Sequence, residues 1–127
     1  MRNLLIGVFL FIGLTASKLP ISDDLSAAFK NGDANKIATH FTDPVDLSIP
    51  DNEGVFSKTQ ATQILKTFFS KNKPSNFKVV HNGNSKNNSH YSIGNLTTST
   101  GNFRIYILYK KLKKSSSILE LRIETEE

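Results

Sequence analysis

The stretch Tyr91-Ser-Ile-Gly-Asn-Leu-Thr-Thr-Ser-Thr-Gly-Asn-Phe-Arg-Ile-Tyr106 decides the fold of this 127-residue chain. Apolar and polar residues alternate on both sides of Gly101, and a period of two is typical of half-buried strands joined by a tight turn. Similar runs precede and follow the stretch, so four strands are predicted, covering Phe77 to His81, His90 to Thr98, Asn102 to Leu112 and Ile118 to Glu124. Successive hairpin connections between them predict an antiparallel meander.

The period of two divides the meander into an apolar face and a polar face. The apolar face is predicted to contain Phe77, Val79, Tyr91, Ile93, Phe103, Ile105, Ile107, Leu119, Leu121 and Ile123. The opposite face is predicted to contain Arg104, Tyr106, Glu120, Arg122 and Glu124. Gly94 lies within a strand, where a glycine predicts a bulge or a sharp bend.

Three helices are predicted before the meander. Each follows a residue whose side-chain oxygen can cap the free amides at a helix start, namely Ser22, Asp33 or Ser57. Apolar residues then recur at helical spacing after each of the three. Ser57 and Gln60 also form a capping box, in which the glutamine side chain returns to the amide of the serine.

One more strand is predicted between the second and third helices. Val45, Leu47 and Ile49 alternate with polar residues, and the adjacent Pro50 favours a position at the edge of the sheet. Asp51-Asn-Glu-Gly54 is predicted to be a turn. The simplest way to bury these elements is an α+β fold, in which three N-terminal helices pack on a strongly bent antiparallel meander sheet.

The first seventeen residues are predicted to be a secretory signal peptide and not part of the domain. Arg2 precedes an uncharged apolar run from Leu4 to Leu14, and small residues follow it. The run is shorter than the roughly 20 apolar residues that a membrane-spanning helix needs. Cleavage near Ala16 or Ser17 would leave one domain, residues 18–127, exported as a soluble protein to the periplasm or the extracellular space.

The composition excludes several classes of site. The chain has no cysteine, which excludes disulfides, thiolate metal sites, a cysteine nucleophile and a lipid-anchored cysteine. Its formal charge of +5 comes mainly from scattered lysines, so no nucleic-acid partner is expected. The lysines from Lys110 to Lys114 are predicted to flank a solvated turn, with a phosphate- or membrane-binding patch as the alternative. Because His40, His81 and His90 are dispersed, no metal site and no cofactor are expected.

Two passages resemble a known family. Gly32-Asp-Ala-Asn-Lys-Ile-Ala38, which continues to Phe41 and Ile49, is similar to the passage from the second helix to the first strand in the nuclear transport factor 2-like (cystatin-like) superfamily. Tyr91 to Thr97 with Gly101 to Tyr106 resembles an exported bacterial family within it, domain-of-unknown-function family 4783. The resemblance implies a cone-shaped domain with a cavity between helices and sheet, often dimeric through the open side of the sheet. It implies no reaction.

A ligand-binding site is predicted inside this cone. His81 shares its predicted face with Phe77 and Val79, and together with Tyr91 and Asn95 it could contact a small apolar ligand. A register shift of one residue would turn Asn95 outward. A fully packed interior without a cavity is the alternative.

An enzyme of isomerase or dehydratase type, using His81 and Tyr91, is the alternative function. A general base needs a pKa shifted by burial beside a partner, and no second carboxylate occurs at cavity-facing spacing. The sequence contains no phosphate loop, paired-histidine metal motif or nucleophile elbow. No catalytic residue is therefore assigned.

A homodimer interface is predicted on the polar face of the sheet. Tyr106 and Leu108 would form its apolar centre, with Arg104 and Arg122 in a charged rim. The alternative is an exposed face with cross-strand ion pairs, each contributing under about 1 kcal/mol. The sequence thus predicts an exported, non-enzymatic domain that is either a ligand-binding module or a homodimeric interaction module.

Overall fold

A computed structural model describes residues 21–112 and 116–126 of the chain. Three helices and six strands follow one another in the order α1 (Asp23–Asn31), α2 (Ala34–Ala38), β1 (Phe41–Ile49), β2 (Asn52–Phe56), α3 (Lys58–Lys71), β3 (Pro74–Asn84), β4 (Ser89–Thr98), β5 (Gly101–Lys111) and β6 (Ser116–Thr125). The predicted signal peptide and the centre of the predicted lysine turn lie outside the described residues. Within those ranges no helix has the length and apolar character needed to span a bilayer.

The three helices begin at the predicted capping residues. Ser22 Oγ accepts a hydrogen bond of 3.1 Å from the Leu25 amide, and Asp33 Oδ1 accepts one of 3.1 Å from the Lys36 amide. α1 ends at Gly32, whose φ of 66° lies in the left-handed region that favours glycine. This glycine allows the sharp turn from α1 into α2.

The six strands form one sheet in the order β2-β1-β6-β5-β4-β3. β3 to β6 are the predicted antiparallel meander, with Ile105 of β5 paired to Ile123 of β6. β1 lies beside β6 in parallel, through Leu47 and Leu121. The sheet is therefore mixed and not purely antiparallel, because β1 and the last strand of the meander run in the same direction.

The prediction that β1 is an edge strand is wrong. Pro50 and Asp51 alone make the turn after it, with Asp51 at a φ of 72°. The chain then returns as Asn52–Phe56, and this strand pairs with β1 through Val45 and Phe56. β2 takes the edge because its backbone satisfies the hydrogen-bonding groups of β1 on the side that was expected to be free.

The helices pack on one side of the sheet, the inner face. The Phe68 ring on α3 contacts the Phe103 ring on β5 with centroids 5.0 Å apart. At the other side of the core, Phe29 on α1 stacks on Phe77 of β3, also at 5.0 Å. Five of the six predicted core residues of the last two strands are buried: Phe103, Ile105, Ile107, Leu121 and Ile123.

The inner face of β4 differs from the prediction by one residue. Gly94 and Leu96 are buried, whereas Tyr91 and Ile93 belong to the other face and are half-exposed. The inner position opposite Val79 requires glycine, because a Cβ on Gly94 would lie 2.5 Å from the ring of Phe77 on the same neighbouring strand. Tyr91 and Ile93 therefore do not line the interior.

A bulge also shifts the alternation in β6. Leu108 pairs with Glu120, but the next residue, Tyr109, pairs with Ile118 and leaves Leu119 without an opposite residue. Ile118 is therefore buried in the core in the place predicted for Leu119, which is half-exposed.

Candidate functional site

The predicted site residues all lie on one surface, the outer face, which is the side of the sheet opposite the helices. These residues are His81, Tyr91, Asn95, Arg104, Tyr106, Leu108 and Arg122. Tyr91 pairs with Leu108, and Asn95 pairs with Arg104, so the predicted ligand-binding and interface residues are intermixed. The predicted interior location of the ligand-binding residues is wrong, because β4 presents Tyr91 and Asn95, and β3 presents His81, on the opposite face. Their role in binding stays a prediction.

Four planar side chains form a continuous row across the outer face. This row, called the aromatic row, consists of the rings of His81, Tyr91 and Tyr106 and the guanidinium group of Arg122. The ring centroids of His81 and Tyr91 are 5.7 Å apart, and those of Tyr91 and Tyr106 are 5.9 Å apart at an interplanar angle of 27°. The guanidinium carbon of Arg122 lies 5.1 Å from the Tyr106 centroid. The row therefore crosses four neighbouring strands and presents stacking and cation–π surfaces.

Two backbone features hold His81 and Tyr91 in the row. A register shift between Val79 and His81 turns His81 to the outer face, while Val79 stays opposite Gly94. Tyr91 lies across Gly83, where a Cβ would come within 2.5 Å of the tyrosine ring. The Tyr91 hydroxyl oxygen is consequently 3.2 Å from His81 Nε2, and the two side chains are hydrogen-bonded.

Glu120 orients the Arg122 end of the row. Arg122 Nη2 donates a hydrogen bond of 2.6 Å to Glu120 Oε2, and this bond is the main cause of the raised pKa of Arg122. Burial raises the pKa of Tyr106, and the negative charge of Glu120 raises it further. At neutral pH the row therefore combines a neutral phenol with a fixed cation beside its ring.

Unpaired charges of opposite sign lie at the two edges of the outer face. The β1–β2 edge carries the carboxylates of Asp46 and Glu53, and the β3 edge carries the ammonium group of Lys78. Two ion pairs lie between these edges, Arg122 with Glu120 at 2.6 Å and Arg104 with Glu126 at 3.2 Å. Across the described part of the sheet, the outer face is thus acidic at one edge and basic at the other.

The aromatic row on the outer face is open to solvent. His81 is exposed and Tyr91 is half-exposed, so their hydrogen-bonded pair lies next to solvent. Among residues 21–112 and 116–126, no group of three His, Cys, Asp or Glu side chains is placed to hold a metal ion. Stacking, cation–π contact and ion pairing are the interactions that this surface can make.

A groove lies on the helical side of the sheet, between α3 and the turn that joins β1 to β2. Its volume is about 680 Å³. Its lining combines apolar residues, among them Ile49, Ile64, Phe68 and Phe103, with polar residues of α3 and of the adjoining turns. The helical spacing of Ile64 and Phe68 predicted only a core face. Sequence reasoning missed the groove, because its opening depends on where the Asp51 turn lies relative to α3.

The sequence and the fold both match solved relatives. Residues 22–124 match the family model "Domain of unknown function (DUF4783)". A DUF4783 family protein from Bacteroides ovatus ATCC 8483 is 33% identical, with a TM-score of 0.75 over 84% of this chain and 96% of that chain. Another, from Bacteroides fragilis YCH46, is 33% identical, with a TM-score of 0.75 over 84% of this chain and 99% of that chain.

More distant proteins share only the fold. A designed protein, "Rd1NTF2_04 with long sheet", is 14% identical, with a TM-score of 0.62 over 80% of this chain and 94% of that chain. No curated protein matches the chain. Because the family model covers most of the sequence and the solved Bacteroides relatives cover most of the fold, this chain belongs to the DUF4783 family of domains of unknown function, as the resemblance of its strands predicted.

Proposed function

We propose that this chain is an exported, non-enzymatic interaction module that forms a homodimer through the outer face. The aromatic row carries the proposal, because it places four stackable planar groups in the middle of a sheet face with charged edges. Aromatic residues and arginine at the centre of a polar surround are typical of protein interfaces. Tyr91, Tyr106 and Leu108 are half-exposed in the single chain, and a partner would cover them.

The charges of the outer face favour a second copy as that partner. The β2 edge carries Glu53, and the β3 edge carries Lys78. A two-fold axis in the interface, parallel to the strands and between β5 and β6, exchanges β2 with β3. The acidic edge of each copy then faces the basic edge of the other, and the central Arg122 faces Tyr106.

The location of His81 and Tyr91 supports binding over the isomerase or dehydratase alternative. The two side chains are hydrogen-bonded to each other, but they lie next to solvent and not in a cavity. A general base of such an enzyme needs an environment that shifts its pKa and excludes water from the substrate. In the proposed dimer, these two residues are contact residues of the interface.

Light scattering after size-exclusion chromatography tests the dimer. We expect a dimer at micromolar concentrations, and we expect Tyr106→Glu to produce a monomer, because it buries an unpaired carboxylate at the centre of the interface. Thr59→Glu, on the exposed side of α3, is the matched control and should leave the dimer intact. A wild-type monomer at every concentration, or a dimer insensitive to Tyr106→Glu, contradicts the proposal.

A charge reversal tests the proposed orientation. Glu53→Lys and Lys78→Glu should each weaken the dimer, because each places like charges opposite one another across the two-fold axis. The double variant restores opposite charges and should recover the wild-type dimerisation constant. Two single variants that have no effect would show that the copies do not pack in this orientation.

Export is a separate part of the proposal, and the layout of Arg2 and the apolar run from Leu4 to Leu14 supports it. N-terminal sequencing of the protein recovered from a secreting host tests it. We expect the mature chain to begin just after Ala16 or Ser17. Recovery of an intact N-terminus inside the cell would contradict export and would leave the dimer proposal unaffected.

A further inference from the structure

α3 presents two parallel stripes to the groove that it forms with the β1–β2 turn. Ile64 and Phe68 form an apolar stripe, and Gln63, Thr67 and Lys71 form a polar stripe beside it. Both stripes follow from the sequence spacing, because residues four apart lie on the same side of a helix. The groove therefore has an apolar side and a polar side that run along the same helix.

Ile64 is an apolar residue of the groove that the fold leaves partly uncovered. Ile49, Phe68 and Phe103 retain 8%, 6% and 6% exposure, so they belong to the core, whereas Ile64 is half-buried. The volume of about 680 Å³ lies within the range of about 300–1,000 Å³ that is usual for small-molecule pockets. An apolar molecule of drug-like size could cover Ile64 and lie against the Phe68 ring.

Lys71 gives one end of the groove a positive charge. Lys71 and Asp51 are the ionisable residues of the lining, and they come from opposite walls, α3 and the β1–β2 turn. Neither forms an ion pair with another described residue. Lys73 adds further positive charge just beyond the end of α3, and the whole chain carries +5. This surplus favours an anionic group at the Lys71 end.

We propose that the groove binds a small carboxylic acid with an apolar body, such as a medium-chain aliphatic acid. The apolar body would lie on Ile64 and Phe68, and the carboxylate would accept a charge-assisted hydrogen bond from Lys71 Nζ. The site does not depend on the proposed dimer, because the groove and the outer face lie on opposite sides of the sheet. Failure of either proposal therefore leaves the other standing.

Titration of the isotope-labelled full chain with three probes of equal length, octanoate, octanol and octylamine, tests the site by NMR. Octanoate should shift the amide resonances of Ile64, Thr67 and Lys71 and should bind more tightly than octanol or octylamine. Lys71→Glu should weaken the binding of octanoate about tenfold, because it removes one charge-assisted hydrogen bond. It should leave octanol unchanged. Lys66→Glu, on the same helix but outside the groove, is the matched control.

Each other outcome overturns the proposal. Octanoate affinity that falls equally in Lys71→Glu and Lys66→Glu would show only long-range attraction between charges. Tighter binding of octylamine would assign the charge preference to Asp51. If none of the three probes shifts the resonances of α3 while the spectrum of the free protein is well dispersed, the groove does not bind molecules of this class.

Discussion

The Phe68 ring stands edge-on to the Phe103 ring, with centroids 5.0 Å apart and the ring planes at 79°. Phe68 belongs to α3 and Phe103 to β5, so the helix that precedes the meander meets a central strand of the sheet at this contact. Both rings are buried, and both also line the groove. The same pair therefore contributes to the stability of the core and to the shape of the proposed binding site.

Phe103→Ala should lower the free energy of unfolding by about 3–5 kcal/mol, because it removes a buried ring and leaves a cavity. A double-mutant cycle with Phe68→Leu and Phe103→Leu isolates the edge-to-face contact, since leucine keeps most of the buried volume. In urea unfolding we expect a coupling of about 0.5–1.5 kcal/mol between the two positions. Strictly additive losses would mean that the rings contribute through burial alone.

Gly94→Ala should destabilise the protein more than Gly83→Ala. A Cβ at Gly94 would lie 2.5 Å from the Phe77 ring and 3.0 Å from the Lys78 carbonyl oxygen, and the Phe77 ring is stacked on the buried Phe29 ring. A Cβ at Gly83 meets the ring of Tyr91, which is half-exposed and can move outward. We expect a loss of about 1–3 kcal/mol at Gly94. Equal losses at the two glycines in thermal unfolding would contradict this ranking.

The course of the chain through its helices and meander could be predicted because the signals are local. Ser22, Asp33 and Ser57 each act on amides within the next three residues, and the strands alternate with a period of two. β2 was not predicted, because no local signal in its sequence indicates a strand. Asn52, Glu53 and Gly54 have the composition of a turn, and only pairing with β1 makes them a strand.

The faces of β4 could not be deduced from its own alternation. Tyr91 and Ile93 are the larger apolar residues near its start, yet the inner positions are Ser92 and Gly94. The Phe77 ring of the neighbouring strand β3 fills the space above Gly94, so β4 needs no side chain at that position. Tyr91 and Asn95 consequently lie on the outer face, and the register shift in β3 places His81 there as well. The predicted interface residues were assigned to the correct face.

Ser57→Ala should lower the free energy of unfolding by about 1 kcal/mol, because it removes the cap of the longest helix. Ser57 Oγ accepts a hydrogen bond of 3.1 Å from the Gln60 amide, and Gln60 Oε1 accepts one of 3.3 Å from the Ser57 amide. Asp43 Oδ1 adds a third bond, from the Lys58 amide at 3.1 Å. Thr59→Ala, in the same turn and exposed, is the control for urea unfolding. If Thr59→Ala lowers the free energy of unfolding by the same amount, the loss of the cap is not the cause.

Tyr109 should make the protein sensitive to alkaline pH. Burial raises the pKa of its phenol above the ordinary value of 10.0, and the neighbouring Ser92 hydroxyl opposes this more weakly. Above about pH 10 the unfolded chain releases the Tyr109 proton first, so the unfolded state binds fewer protons and stability falls as pH rises. Below pH 10 both states keep the proton, and this contribution is fully present.

Tyr109→Phe should therefore flatten the decline of the melting temperature between pH 9 and pH 11. Tyr106→Phe should flatten it as well, since burial also raises the pKa of Tyr106. A decline that is equally steep in Tyr109→Phe and in the wild type would show that this buried phenol does not control the alkaline limit.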